Sequence, residues 1–223
     1  METPTIDFAN LSDEQISFIR KNLPKKKKYE KKQSYRMKEN KVRFFNPDEW
    51  EKFIYSTSDT WRFTFWFFLL TGVRYKEAKV IQIMDFDFPN RNLFIKKPKG
   101  IDAGKVQRTV NLSPYAVKFI RSYIHINNLK NTDTFKFQTI QGVRQYMQRQ
   151  LKAIGINDWR DFSVHNLRKT HENFMMSLDV PEGKLFRHMG HTMKTANQHY
   201  LSSAFIKDVK QLNKIRIWLD GAF

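Results

Sequence analysis

The sequence predicts a mainly helical α+β domain carrying a small three-stranded antiparallel sheet. Three observations predict it. Helix starts recur along the chain, at Asn46-Pro47-Asp48-Glu49, Ser113-Pro114 and Ser163. Between Asp85 and Leu112 the pattern changes to short runs separated by turn residues, with a two-residue apolar period. Apolar residues make up 40% and aromatics 15% of 223 residues, with 20 Phe, which is ample for one well-buried core.

Residues 1–43 read as a short helix followed by a basic arm. Ser12 to Gln15 has the form of a capping box, and Pro24 ends the helix it opens. From Arg20 to Arg43, 12 Lys or Arg face only Glu30 and Glu39. Such a block repels itself and stays extended or solvated. Lys25, Lys26, Lys27, Lys28, Lys31, Lys32 and Arg36 are its candidate phosphate contacts.

Residues 44–223 form the globular part. A first helix starts at Asn46. A second, Trp61 to Leu70, is apolar almost all round and belongs in the core, stopping at Thr71-Gly72. A short helix is expected from Tyr75 to Gln82. Strands follow at Asp85–Phe88, Leu93–Lys96 and Val106–Leu112. They are joined by a turn at Pro89 to Asn92 and a glycine-bearing loop from Lys97 to Lys105. In the third strand Val106, Arg108, Val110 and Leu112 share one face. Helices are then expected from Ser113 to Asn127, from Thr139 to Ile154 with Val143, Met147, Leu151 and Ile154 as its stripe, and from Ser163 to Leu178. Ala204 to Leu219 alternates apolar and basic residues as an amphipathic helix, able to dock on its own domain or on a neighbour.

Forty Lys and Arg against 22 Asp and Glu leave a net charge of +18, which points to nucleic acid as partner. With no Cys, disulfides, thiolate metal sites and a cysteine nucleophile are excluded. No run approaches the ~18 apolar residues of a membrane span, and the first residues lack the basic start and apolar run of a secretion signal. No membrane partner and an intracellular location are therefore expected. Five of the six His lie between His165 and His199. They lack a ligand set of His-Glu-x-x-His or Cys type, so neither a metal nor a cofactor is expected.

Phosphodiester chemistry suits these residues better. His165 and Arg168 are three apart near a helix start, on one side of it. His191 and Tyr200 are nine apart and would face opposite ways on a continuous helix, so they can serve one phosphate only if the helix breaks. Gly190 is placed to end the preceding helix.

Thr71-Gly72-Val73-Arg74-Tyr75-Lys76-Glu77 resembles the Thr-Gly-x-Arg-x-x-Glu box of the tyrosine recombinases, the family of phage integrases and chromosome-dimer resolvases. His165-x-x-Arg168 is similar to that family's second box, and Met189-Gly190-His191 to its Leu-Gly-His motif. Tyr200 falls at the nucleophile's place, and Leu93 to Ile95 with Lys99-Gly100 resembles the hairpin bearing the catalytic lysine. The resemblance spans residues 44 to 205. It implies a tyrosine-recombinase-like catalytic domain. Arg74 and Arg168 would clamp the phosphate, His191 would donate to it, Tyr200 would attack, and His165 would act as base. Lys99 would protonate the leaving oxygen, with Lys96, Lys97 and Lys105 as rivals in the same loop. Glu77 would hold Arg74. Lys97 and Lys105 are further candidate DNA contacts, and His188 and His199 packing or DNA-contact residues. The implied partners are double-stranded DNA and further copies of the chain, four in a synapse, with a monomer free in solution. The separate helical domain that usually precedes this one needs more than the 43 residues available, and Lys194 to His199 departs from the family's Thr-rich stretch. Other outcomes of the same chemistry are a type IB topoisomerase or telomere resolvase. Readings from other classes are a non-catalytic DNA-binding relative and a metal-dependent nuclease.

Overall fold

The computed structural model describes residues 43–96, 107–191 and 206–223. All of them fall in one compact unit, Ser34–Phe223. Helix α1 (Pro47–Ser56) is opened by the predicted box. Asn46 Oδ1 accepts the Glu49 N–H at 2.8 Å, and Glu49 Oε2 accepts the Asn46 N–H at 3.2 Å. Arg43, grouped by sequence with the solvated arm, belongs instead to the fold. It is 2% exposed, ion-paired to Glu49 at 2.5 Å and to Asp158 at 2.9 Å, and lies over the Phe162 ring.

Helix α2 (Asp59–Thr71) buries every residue from Phe63 to Thr71 and runs through the middle of the domain. Its rings meet neighbours on several sides: Phe63 against Tyr123 and Phe135, and Trp66 against Trp50 and Trp218. Gly72 ends it in the left-handed conformation, with φ of 61°.

Helix α3 (Tyr75–Ala78) is shorter than the sequence suggests. The chain turns away after Ala78 because residues 131–134 compete for its backbone. Gln82 pairs with Thr134, and Ile83 N and Met84 N donate to Asp133 O and Asn131 O at 3.1 and 2.9 Å. A 3₁₀ turn (Ile83–Asp85) then leads into the sheet, taking Asp85 out of the first strand.

The sheet has the order β1 (Phe86–Asp87), β2 (Asn92–Ile95), β3 (Arg108–Asn111), antiparallel throughout. Leu93 pairs with Val110, both buried, and Ile95 pairs with Arg108. Phe94 points outward, as a two-residue period requires.

Helices α4 (Pro114–Ile126), α5 (Ile140–Ala153) and α6 (Val164–Ser177) stand where their caps put them. A 3₁₀ turn at Trp159–Asp161 was not foreseen. Helix α6 packs along α2 and is buried from Asn166 to Ser177, charged residues included, with His165 left exposed at its start. Helix α7 (Glu182–Met189) packs on β3 and α6.

Helix α8 (Val209–Leu219) docks on its own domain, against α4, α1 and α6. Ile215, Trp218 and Leu219 are buried there, Ser113 Oγ donates to Trp218 O at 2.6 Å, and Lys214 bridges Asp48 and Glu51. None of the described helices is long and apolar enough to cross a membrane.

Candidate active site

Two helix ends meet at the site. The first is the end of α2. A Cβ on Gly72 would lie 2.5 Å from the His171 ring, so glycine is required there by contact as well as by φ. Two residues on, Arg74 precedes α3. Its backbone N–H donates to Glu77 Oε2 at 2.9 Å and its Nη1 to Glu77 Oε1 at 2.9 Å. Glu77 thus holds Arg74 at both its backbone and its guanidinium.

The second is the end of α7. Gly190, with φ of 64°, closes the helix, and the His191 N–H reaches back to Phe186 O at 3.0 Å in a Schellman turn. Three successive carbonyls here each accept from a different arginine. Arg108 Nε donates to His188 O at 2.9 Å, Arg168 Nη2 to Met189 O, and Arg74 Nη2 to Gly190 O at 3.2 Å. A helix C-terminus carries partial negative charge, so three guanidiniums suit it. Arg168 also donates to Gly72 O at 2.6 Å and so ties the two helix ends together.

Burial and neighbouring charge together set the electrostatics. Burial would raise the Glu77 pKa, but the paired hydrogen bonds and charge of Arg108, then those of Arg74, hold it down to about 2. Its carboxylate accepts four N–H groups, two of them from Arg108 at 2.9 and 2.7 Å, which fills its lone pairs. Burial, then Arg74 and Arg108, push Arg168 down to about 9, still charged at neutral pH. His165 is open to solvent along part of its ring. Desolvation of the rest, then Lys169, Arg168 and Arg74, lower it to about 4. His191 is lowered to about 3 by burial, then by Arg168, Lys169, Arg74 and His165. Both imidazoles are therefore neutral at pH 7, one able to accept a proton and the other to donate a hydrogen bond. Nδ1 of His191 faces Glu172 at 3.7 Å, and Glu172 meets Lys169 at 3.4 Å.

Behind the arginines His171 and His188 are buried and joined through their Nε2 atoms at 3.0 Å. The Asn111 N–H donates to His188 Nδ1 at 3.3 Å, and His171 Nδ1 bonds Leu69 O at 2.7 Å. This assigns the protons: His188 carries its own on Nε2 and His171 on Nδ1, both rings neutral. His188 is thus a packing residue. Among the described residues no group of three or more His, Asp or Glu is arranged to hold a metal ion.

The structure brings together Arg74, Glu77, His165, Arg168 and His191. Tyr200 and His199, the loop lysines Lys97, Lys99 and Lys105, and the arm residues Lys25, Lys26, Lys27, Lys28, Lys31, Lys32 and Arg36 lie outside the described residues. Sequence reasoning missed Arg108, Lys169 and Glu172. Arg108 had a signal, a charge on the face of β3 that Val110 and Leu112 bury.

A model of the phage integrase family matches residues 43–206. The chain belongs to the phage integrase family. No curated protein matches this integrase-family chain in sequence. Solved structures match its fold. The XerA recombinase is 19% identical with a TM-score of 0.57, over 78% of this chain and 64% of that one. The Tn1549 transposon integrase (aa 82-397), in complex with circular intermediate DNA, is 14% identical with a TM-score of 0.58, over 76% and 64%. A lambda integrase dimer bound to a core site is 17% identical with a TM-score of 0.53, over 70% and 58%. The chain thus spans less than two thirds of the length of these relatives. Their shared architecture is the tyrosine-recombinase catalytic fold that the sequence predicts, mainly helical with a small antiparallel sheet.

Proposed function

We propose that the chain is a site-specific DNA recombinase acting through a covalent 3′-phosphotyrosine. Convergence of Arg74, Arg168, His165 and His191 at the end of α7, with His191 nine residues before Tyr200, carries this reading. A phosphodiester under attack gains charge on its non-bridging oxygens, and fixed cationic donors are the strongest means of stabilising it. A guanidinium has five N–H groups. Arg168 gives two to carbonyls and Arg74 two to Glu77 and Gly190, so both retain donors for phosphate oxygens. His191, neutral and buried, donates one more hydrogen bond.

The Tyr200 oxygen attacks phosphorus and loses its proton to His165, whose neutral form is the one able to accept it. The bond from phosphorus to the 5′ oxygen breaks, and that oxygen takes a proton from Lys99. A 5′ hydroxyl from a second duplex then attacks the phosphotyrosine and releases Tyr200. The ester bond is conserved at each step, so neither a cofactor nor a metal is required.

Beside His165 a groove of about 570 Å³ runs between α5 and the start of α6, lined by Gln141, Arg144 and Gln145 among others. We read it as the bed of the duplex, together with the basic arm. The Tn1549 and lambda integrases hold DNA in their structures, the latter as a dimer, which supports DNA and further copies of this chain as partners, inside the cell.

The test is a trap: suicide duplexes from a random-site pool, a chelator, and Tyr200→Phe alongside. A denaturation-resistant adduct that needs Tyr200 and ignores the chelator supports the reading. Salt-sensitive binding without an adduct refutes it in favour of a non-catalytic binder. Cleavage abolished by the chelator refutes it in favour of a nuclease, and relaxation of plasmid without a preferred site in favour of a topoisomerase.

A further inference from the structure

Arg108 makes three side-chain hydrogen bonds, where Arg74 and Arg168 each make two. Its side chain is 8% exposed. Nη1 and Nη2 donate to the two oxygens of Glu77 at 2.9 and 2.7 Å, and Nε donates to His188 O at 2.9 Å. A Cβ on Gly190 would lie 2.9 Å from Arg108 Cδ, so the stem of the side chain rests on the backbone of the closing turn of α7. One residue therefore joins the last strand of the sheet, the carboxylate that grips Arg74, and the helix end that carries His191.

We propose that Arg108 is a positioning residue for DNA strand cleavage, setting Arg74 through Glu77 and His191 through the α7 terminus. This rests on the recombinase reading. Two features argue for positioning over simple charge balance. Arg108 engages both oxygens of Glu77 and so leaves Arg74 only the remaining lone pairs, which fixes where the Arg74 guanidinium can sit. Its third N–H is aimed at a different element, the His188 carbonyl, so the fork sets the separation of α3 and α7. A lysine would supply the same charge at one point but not the fork. Because Arg108 touches no reacting atom, its effect falls on the rate of the chemical step and leaves DNA affinity alone. A misplacement of about 1 Å in such a site lowers the rate by about 10²-fold.

The test uses the full chain and a suicide duplex taken from the trap. Single-turnover adduct formation is measured at saturating protein, and the duplex Kd separately. Arg108→Lys is expected to form adduct about 10²-fold more slowly, with Kd within about threefold of wild type. In Arg108→Gln, Glu77 loses its strongest partner and its pKa rises. Adduct formation at pH 5 relative to pH 7 then falls, while the wild-type ratio does not. The double variant Glu77→Gln/Arg108→Gln leaves no buried charge of this pair behind, and guards against failure of the single variants to fold. It should show the same loss of rate. Arg108→Lys or the double variant cleaving within about threefold of wild type overturns the proposal, as does a loss confined to Kd. Absence of any adduct from the wild type refutes the recombinase reading itself and this proposal with it. The wild-type arm keeps the two failures distinct.

Discussion

Replacing Glu77 by Gln removes the one carboxylate that Arg74 and Arg108 share, and the structure sets the size of the effect. The Glu77 pKa falls from 4.5 to about 2 on folding, because the arginines outweigh its burial. Each unit is about 1.4 kcal/mol, so ionised Glu77 contributes about 3 kcal/mol to folding at pH 7. A carboxylate with a depressed folded pKa gives stability that is complete above its unfolded pKa. That stability is lost as pH falls from there toward the folded value, here from 4.5 toward 2. Glutamine cannot titrate, so the stability difference between wild type and Glu77→Gln isolates this group from every other carboxylate. Urea denaturation followed by circular dichroism at several pH values measures it. The wild-type advantage should shrink by about 2 kcal/mol between pH 7 and pH 3. Wild-type and variant curves that stay parallel over that range would refute the reasoning, since Glu77 would then not be held ionised by the two arginines.

Other consequences are as direct. Gly190→Ala places a Cβ in a left-handed turn and against the Arg108 stem; it should cost about 1–2 kcal/mol or more and lower Tm by several degrees, read by thermal denaturation. His165, His171 and His191 are held neutral, at about 4, 4 and 3, so none should protonate above pH 5 in a ¹³C NMR titration of histidine-labelled protein. A titration near 6.5 from any of the three would contradict the burial, and after it the neighbouring cations, that hold these rings neutral. Deleting Lys25 to Lys32 should flatten the dependence of DNA affinity on salt, because each lost phosphate contact releases fewer counterions, while site preference is retained.

Local chemistry made much of this fold legible. Asn46, Ser113 and Thr139 each cap a helix where the sequence puts one, because a side chain and a backbone N–H a few residues away decide the matter. The length of α3 was not legible, since it depends on residues 131–134 arriving from some fifty positions away to claim the backbone. Arg43 was misread for a related reason. Its neighbours in sequence are lysines, but its neighbours in space are Glu49 and Asp158. In the site, Arg74, His165, Arg168 and His191 stood out because their spacing has a pattern. Arg108 and Glu172 belong to no pattern. An arginine on an inward face announces that a partner exists, yet only the fold reveals that Glu77 and the α7 end are that partner.

The arginines grip the α7 terminus by its main-chain oxygens, each taken by its own arginine. An anchorage of this kind is blind to spelling. It asks that a helix finish at this place in a left-handed glycine, and the three hydrogen bonds themselves are indifferent to the other letters that write it. Outside Gly190, His191 and the buried His188, the stretch can change as far as packing permits without coming adrift. The three arginines have no such latitude, and a lineage that lost one would have to rebuild the mooring rather than substitute within it.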